Sequence, residues 1–283
     1  MPSFETHQPI VLSIELSQGM VHVNASDRTD TVVAVNPSDP GRPADVEAAQ
    51  KTVVDLANGT LSIRVPKRRG VAGHLGLGRS GSVDVTVELP EGSSLTAEAG
   101  FGDFRCDGQF GDVDVRTGAG NVQLDQTGAI RVHSGAGRVA LEESSGDAEI
   151  VTAGDMTIGS IAGDADFKNL NGKTWIRRVE GNVRVKSANG DVTIEDAGRD
   201  VTVKTANGNI RLGQVARGSA TIETASGGLE IGIREGTAAW IDANTRFGRI
   251  HNSLSPVDDS EQSAETVQVR ARTAFGDVLI TRS

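Results

Sequence analysis

The chain has 283 residues, 35 of them glycine, with 37% hydrophobic and 3% aromatic content and no tyrosine, so its core must be built from Val, Ile, Leu and Ala in thin layers. A formal net charge of −10 opposes general affinity for nucleic acid or an anionic membrane. No stretch approaches the ~20 apolar residues of a membrane span, residues 1–7 have neither a positive region nor an apolar run, and the single Cys106 can form no internal disulfide; together these predict a cytoplasmic protein.

In chain order, residues 1–100 are expected to form an irregular β cap, with strands near 10–16, 20–25, 31–35, 52–57, 61–65 and 83–89 and a short helix at 44–50. Lys67, Arg68 and Arg69 form a basic cluster in an acidic protein, a candidate loop contact for an acidic partner; the plainer reading is a solvated hairpin tip. The stretch Gly76-Leu77-Gly78-Arg79-Ser80-Gly81 spells the dinucleotide fingerprint. A strand follows it where a helix N-terminus is required, so it reads as a loop.

From residue 101 to 240 a five-residue phrase recurs about every nine residues: Gly, then Asp or Asn, then apolar, polar, apolar. It stands at Gly111-Asp112-Val113-Asp114-Val115, Gly120-Asn121-Val122-Gln123-Leu124, Gly181-Asn182-Val183-Arg184-Val185, Gly190-Asp191-Val192-Thr193-Ile194 and Gly208-Asn209-Ile210-Arg211-Leu212. Each copy is a strand with one buried face, closed by a turn. Every second turn is rich in Thr, Ser and Asn, as at Thr117-Gly118-Ala119-Gly120 and Thr205-Ala206-Asn207-Gly208, so one rung is two strands in about 18 residues. Such a unit cannot bury its apolar face alone. The fold class is therefore all-β: a single-stranded β-solenoid with two parallel sheets face to face and about seven rungs between residues 101 and 233. Val113, Val132, Ile150, Val183 and Val201 are expected to share one buried column, and the turn glycines and asparagines to stack in left-handed conformations. Residues 241–283 add capping strands separated by a polar loop at 255–266. Phe101, Phe110, Phe247 and Phe275, each in a Phe-Gly pair at the first or last rungs, are expected to plug the ends of the stack.

Carried outward, the strand phase puts Arg116, His133, Lys168, Lys186 and Lys204 in one row, a candidate binding face, and Asp107, Asp125, Glu142 and Glu195 in a partly acidic row on the opposite sheet. Solubility alone explains charged rows, with cross-rung pairs along Asp114, Arg131, Glu149, Asp166 and Arg184 compensating. Stacked like charges at ~4.8 Å nevertheless cost energy that selection for a ligand would excuse. Carboxylates beside Trp175 invite comparison with carbohydrate-active β-helices. A calcium-binding β-roll fits poorly, because one Gly directly precedes Asp or Asn, so these read as turn residues. There is no Gly-x-Ser-x-Gly elbow, Cys106 falls on a core position, and His7, His22, His74, His133 and His251 are dispersed. No catalytic, cofactor or metal site is predicted.

The opening Pro9-Ile10-Val11-Leu12-Ser13-Ile14, the segment Ala25-Ser26-Asp27-Arg28-Thr29-Asp30-Thr31 and the strand 81–90 carry a resemblance, as do residues 247–254 and Thr273-Ala274-Phe275-Gly276-Asp277-Val278. The chain resembles the bacterial family of candidate adhesins, β-strand-repeat proteins of unknown function also described as toastrack-like, in its soluble actinobacterial form. The resemblance implies a stacked β-solenoid and a non-catalytic role as an interaction or scaffolding module. The expected partner is a protein or another copy of the chain, with no nucleic acid, membrane span, cofactor or small-molecule ligand. The alternative is a polysaccharide-binding or polysaccharide-cleaving β-helix.

Overall fold

Strands in which every second residue is Val, Ile, Leu or Ala need cover on one face only, and parallel stacking supplies it by making each rung the lid of the one before. The computed structural model describes residues 2–66, 81–254 and 265–283 and has this architecture, with two compact units, Met1–Ala140 and Leu141–Ser283.

In the first unit, β1 (Ser3–Glu5) is followed by β2 (Val11–Ser26), a single long strand where two shorter ones are expected from the sequence. It turns the solenoid corner at Gly19, whose φ is +152° and whose hypothetical Cβ would lie 1.8 Å from the Val83 carbonyl oxygen. Next come β3 (Asp30–Pro37), the helix α1 (Pro43–Gln50), β4 (Val53–Ala57), β5 (Thr60–Arg64), β6 (Val83–Pro90) and the long β7 (Ser94–Gln109). The two halves of β2 lie against β5 and β6 on one side and against both halves of β7 on the other, all parallel. β4 pairs antiparallel with β5 through an Asn58-Gly59 turn with φ of 51° and 73°, a tight hairpin. β3 pairs antiparallel with β6, and β1 with β3. α1 begins at Pro43 and buries Asp45, whose Oδ1 accepts from the Ser82 N–H at 3.0 Å. Within the expected irregular β cap, β1, β3 and β4 thus form an antiparallel border with one helix, while β2, β5 and β6 pair as parallel strands. Beyond it β8 (Val113–Ala119), β9 (Val122–Thr127) and β10 (Ile130–Ser134) continue the parallel stack.

β11 (Val139–Ser144) leads into the second unit. There the two-strand rungs are β12 (Ala148–Thr152) with β13 (Met156–Ile161), β14 (Ala165–Asn171) with β15 (Thr174–Val179), β16 (Val183–Asn189) with β17 (Val192–Ala197), and β18 (Val201–Asn207) with β19 (Ile210–Val215). They continue as β20 (Gly218–Ser226) with β21 (Leu229–Ile233), β22 (Thr237–Phe247) with β23 (Ile250–Asn252), and β24 (Glu265–Phe275) with β25 (Val278–Arg282). Even-numbered strands form one parallel sheet and odd-numbered strands the other. The last rung is out of order: β24 and β25 lie between β20–β21 and β22–β23, which makes β22 the outer strand. The polar loop expected at 255–266 ends sooner, since Glu265 and Thr266 belong to β24.

The core consists of straight columns. One runs Ala148, Ala165, Val183, Val201, Ala220, Val269, and the next Ile150, Phe167, Val185, Val203, Ile222, Ala271, none more than 3% exposed. The single column expected from the sequence is therefore two. Val113 pairs with Ile130 and Val132 with Val115, while Ile150 stands one column away from Val183 and Val201. All five are buried as expected; spacing along the chain left a two-residue ambiguity that preserves the buried face.

The corners explain the Gly-Asp/Asn phrase. Gly190 and Gly208 have φ of 126° and 145° and pack directly on the backbone of the preceding rung. The Asp or Asn that follows such a glycine caps a backbone amide one rung on: Asp191 Oδ1 accepts from the Asn209 N–H at 2.9 Å, and Asn209 Oδ1 from the Gly228 N–H at 2.8 Å. At the other corner Asp147 serves Asp164 and Asp164 serves Asn182, both at 2.8 Å. The corner asparagines do not adopt the expected left-handed conformation; among non-glycine residues described, only Asn58 has a positive φ. Instead Asn189 Nδ2 donates to Asn171 Oδ1 at 2.9 Å and Asn207 Nδ2 to Asn189 Oδ1 at 3.0 Å, an amide ladder.

The Asn182 backbone N–H, helped by its side chain, holds the Asp164 carboxyl below the usual carboxylate range. A carboxyl depressed on folding contributes stability that is present above its unfolded pKa and lost as pH falls through its folded value. Acid should therefore loosen this corner. Asp164→Asn should flatten the pH dependence of stability below about pH 4, measured by denaturant titration at several pH values.

Candidate interaction face

The outer face of the even-numbered sheet in the second unit carries Lys168, Lys186 and Lys204, one per rung and in register, at the ~4.8 Å spacing of neighbouring strands. Each strand alternates in and out, so Phe167, Val185 and Val203 beneath hold the backbone flat while the lysines point to solvent. Lys204 Nζ lies 2.8 Å from Glu223, its neighbour one rung on; Lys168 and Lys186 have no ion pair among the described residues. In the adjacent row Arg184 sits 3.8 Å from Asp166. The positive charge without an ion pair among the described residues is thus concentrated at Lys168 and Lys186, and neutralised at Arg184 and toward β20.

In the first unit the other two residues of the expected row, Arg116 and His133, are also in register with one another. Arg116 is engaged with Asp114 at 3.2 Å, and Arg131 reaches the same carboxylate at 4.0 Å. His133 is half-buried with Nδ1 lacking a hydrogen-bond partner. The five candidate residues are therefore a pair in one unit and a triple in the other. Lys67, Arg68 and Arg69 lie outside the described residues, as does most of the Gly76–Gly81 stretch.

Of the four acidic residues expected in a row on the odd-numbered strands, Asp107, Asp125 and Glu195 are engaged. Asp107 accepts from Arg105 Nε at 2.9 Å and contacts His22 at 2.7 Å, which keeps its carboxyl below the ordinary range, and Asp125 Oδ2 accepts from the Gly108 N–H at 3.1 Å. Trp175 is half-buried in an unbroken ladder between Thr157 and Thr193, and its Nε1–H donates to Glu195 at 3.1 Å. A sugar-stacking platform needs an open ring over a groove flanked by free carboxylates, and this ring is tied to its carboxylate neighbour. Cys106 is fully buried, and desolvation pushes its thiol well above the usual range, away from nucleophilic use. Among the described residues no three His, Cys, Asp or Glu side chains come together as a metal site.

The phenylalanines do not plug the stack as expected. Phe110 is buried, but Phe101, Phe247 and Phe275 are 57–64% exposed, because their strand position falls on a corner where the side chain leaves the core. Phe247 and Phe275 stack on each other outside, centroids 5.1 Å apart and 8° from parallel, continuing the line of Asn171, Asn189, Asn207 and Ser226. Trp240 on β22 and Ile250 on β23 are exposed as well, apolar surface on the outer rung that sequence reasoning missed. The available signal was the repeated Phe-Gly pair, read as filling rather than as surface.

The profile of the family described as Toastrack DUF4097 matches residues 11–283. Among solved structures the chain is similar to a candidate cell adhesion protein from Clostridium sporogenes, at 10% identity over 99% of this chain and 94% of that one, with a TM-score of 0.25. It is also similar to a candidate adhesin from Bacteroides fragilis (10% identity, 99% and 95% covered, TM-score 0.32) and to a candidate lipid-binding protein from Parabacteroides distasonis (10% identity, 100% and 95% covered, TM-score 0.38). No curated protein matches.

Proposed function

Since the chain belongs to the toastrack DUF4097 family, we propose that it is a non-enzymatic interaction module whose rigid β-solenoid presents a lysine ladder to an acidic protein partner. The observation that carries this reading is the in-register run of Lys168, Lys186 and Lys204, two of them without an ion pair among the described residues, on a chain whose net charge is negative. Three like charges at strand spacing repel one another, and the fold has neutral alternatives at such positions: the adjacent row carries Thr202 and Thr221. A partner whose carboxylates sit between the lysines would relieve that repulsion, and long-range attraction would speed encounter more than it deepens affinity.

The test is capture of partners by the intact chain and by the Lys168→Glu, Lys186→Glu, Lys204→Glu triple variant, identified by mass spectrometry. At least one acidic protein should be retained by the intact chain, lost with the triple variant, and released as salt rises. An identical captured set in both arms would remove the lysine ladder from the function.

A further inference from the structure

We propose that the chain pairs with a second copy of itself along β22, the two strands running antiparallel about a two-fold axis near Asn244. The surface is distinct from the lysine ladder.

β22 is eleven residues long and in unbroken register with β24 on one side; among the described residues no strand pairs with its other side. It has no proline, lysine or bulge to protect the edge, and its two charges, Asp242 and Arg246, are of opposite sign. Its inward residues Ala239, Ile241 and Ala243 are only half-buried, whereas their neighbours one rung in, Val267, Val269 and Ala271, are at most 3% exposed. Trp240, Phe247 and Ile250 on the same rung are 57%, 63% and 47% exposed. The hydrophobic interior is therefore open at this rung, as it is when a repeat awaits its next neighbour.

Charge selects the occupant. In an antiparallel pair centred on Asn244, Asp242 of each copy faces Arg246 of the other, so the edge complements itself twice. Asn244 and His251 lie at similar chain distances on either side of the Gly248 corner, so one axis serves both sheets and lets β23 pair with its own copy as well. A two-fold contact also closes on itself. Head-to-tail addition would instead join β22 to a different edge, and the outer strands of the first unit, β1 and β4, are only three and five residues long.

The test is sedimentation of the full chain across concentration. The expected result is a monomer–dimer equilibrium that Arg246→Asp weakens by about 100-fold or more, two attractive pairs becoming two repulsive ones. Asp242→Arg should do the same, and an equimolar mixture of the two variants should recover a heterodimer, because every arginine then faces an aspartate. Asp242 also lies 3.4 Å from Arg270 and 3.6 Å from Arg272, so that variant's fold is checked by circular dichroism. Arg246 has no ion pair among the described residues, and its variant decides alone if the other fails to fold. The lysine triple variant should dimerise like the parent. A parent that stays monomeric at every concentration, including one that engages only some other protein, overturns the proposal, and so does a dimer indifferent to Arg246→Asp.

Discussion

Replacing Gly208 with alanine should destabilise the second unit by about 4 kcal/mol or more, a large part of what holds a domain together. Two conditions coincide there. The φ of +145° is one that an L side chain rarely adopts, and the added Cβ would stand 2.1 Å from the Gly190 carbonyl oxygen and 2.6 Å from its carbon. Both are backbone atoms of the neighbouring rung, so no rotamer change relieves the overlap. The rungs would have to part, lengthening the 2.9 Å bond from the Gly190 N–H to the Asn207 carbonyl. Gly59 provides the control. Its φ is +73°, but nothing lies within 4 Å of its hypothetical Cβ, so Gly59→Ala should cost only about 1 kcal/mol of backbone strain. Denaturant unfolding followed by circular dichroism separates the two, and equal effects would show that crowding between rungs is not what demands glycine at the corners.

Phe167→Ala should cost about 4 kcal/mol, the sum of lost transfer energy and the cavity left behind. Phe167 is fully buried and sits between Ile150 and Val185 in a column otherwise made of smaller side chains. Ladder hydrogen bonds set the rung spacing, so neighbouring side chains cannot collapse into the gap. Each rung touches chiefly the next, so the damage should be local. Amide hydrogen exchange should speed up in 148–152, 165–171 and 183–189 well before it does in 220–233. Uniform acceleration across the unit would mean that the rungs unfold as one body rather than as coupled neighbours.

The rungs themselves were legible in the sequence because period-two alternation and stacked glycines have few other physical solutions. Register was less so. Val113 and Val132 are both buried wherever an even slip places them, so burial pattern alone could not separate adjacent columns. The lysine ladder was legible for the same reason as the core: once Phe167, Val185 and Val203 face inward, the residues after them face outward in line. Its pairing with Glu223 was not, because that depends on which strand follows β18. The order of the last rungs was hidden altogether, since Thr245-Arg246-Phe247-Gly248 and Thr273-Ala274-Phe275-Gly276 satisfy the same corner and either could have taken the inner place.

That interchangeability bears on how the molecule comes to be assembled. Growth by simple addition would seat residues 237–252 directly on β20 and β21, since they precede residues 265–282 in the chain, yet in the finished molecule the later segment occupies that berth. Either the earlier rung waits unseated, or it docks and must let go again before the later one can enter. In both cases the closing step joins residues far apart in the chain out of order, which makes it slower than the zipping of the rungs before it.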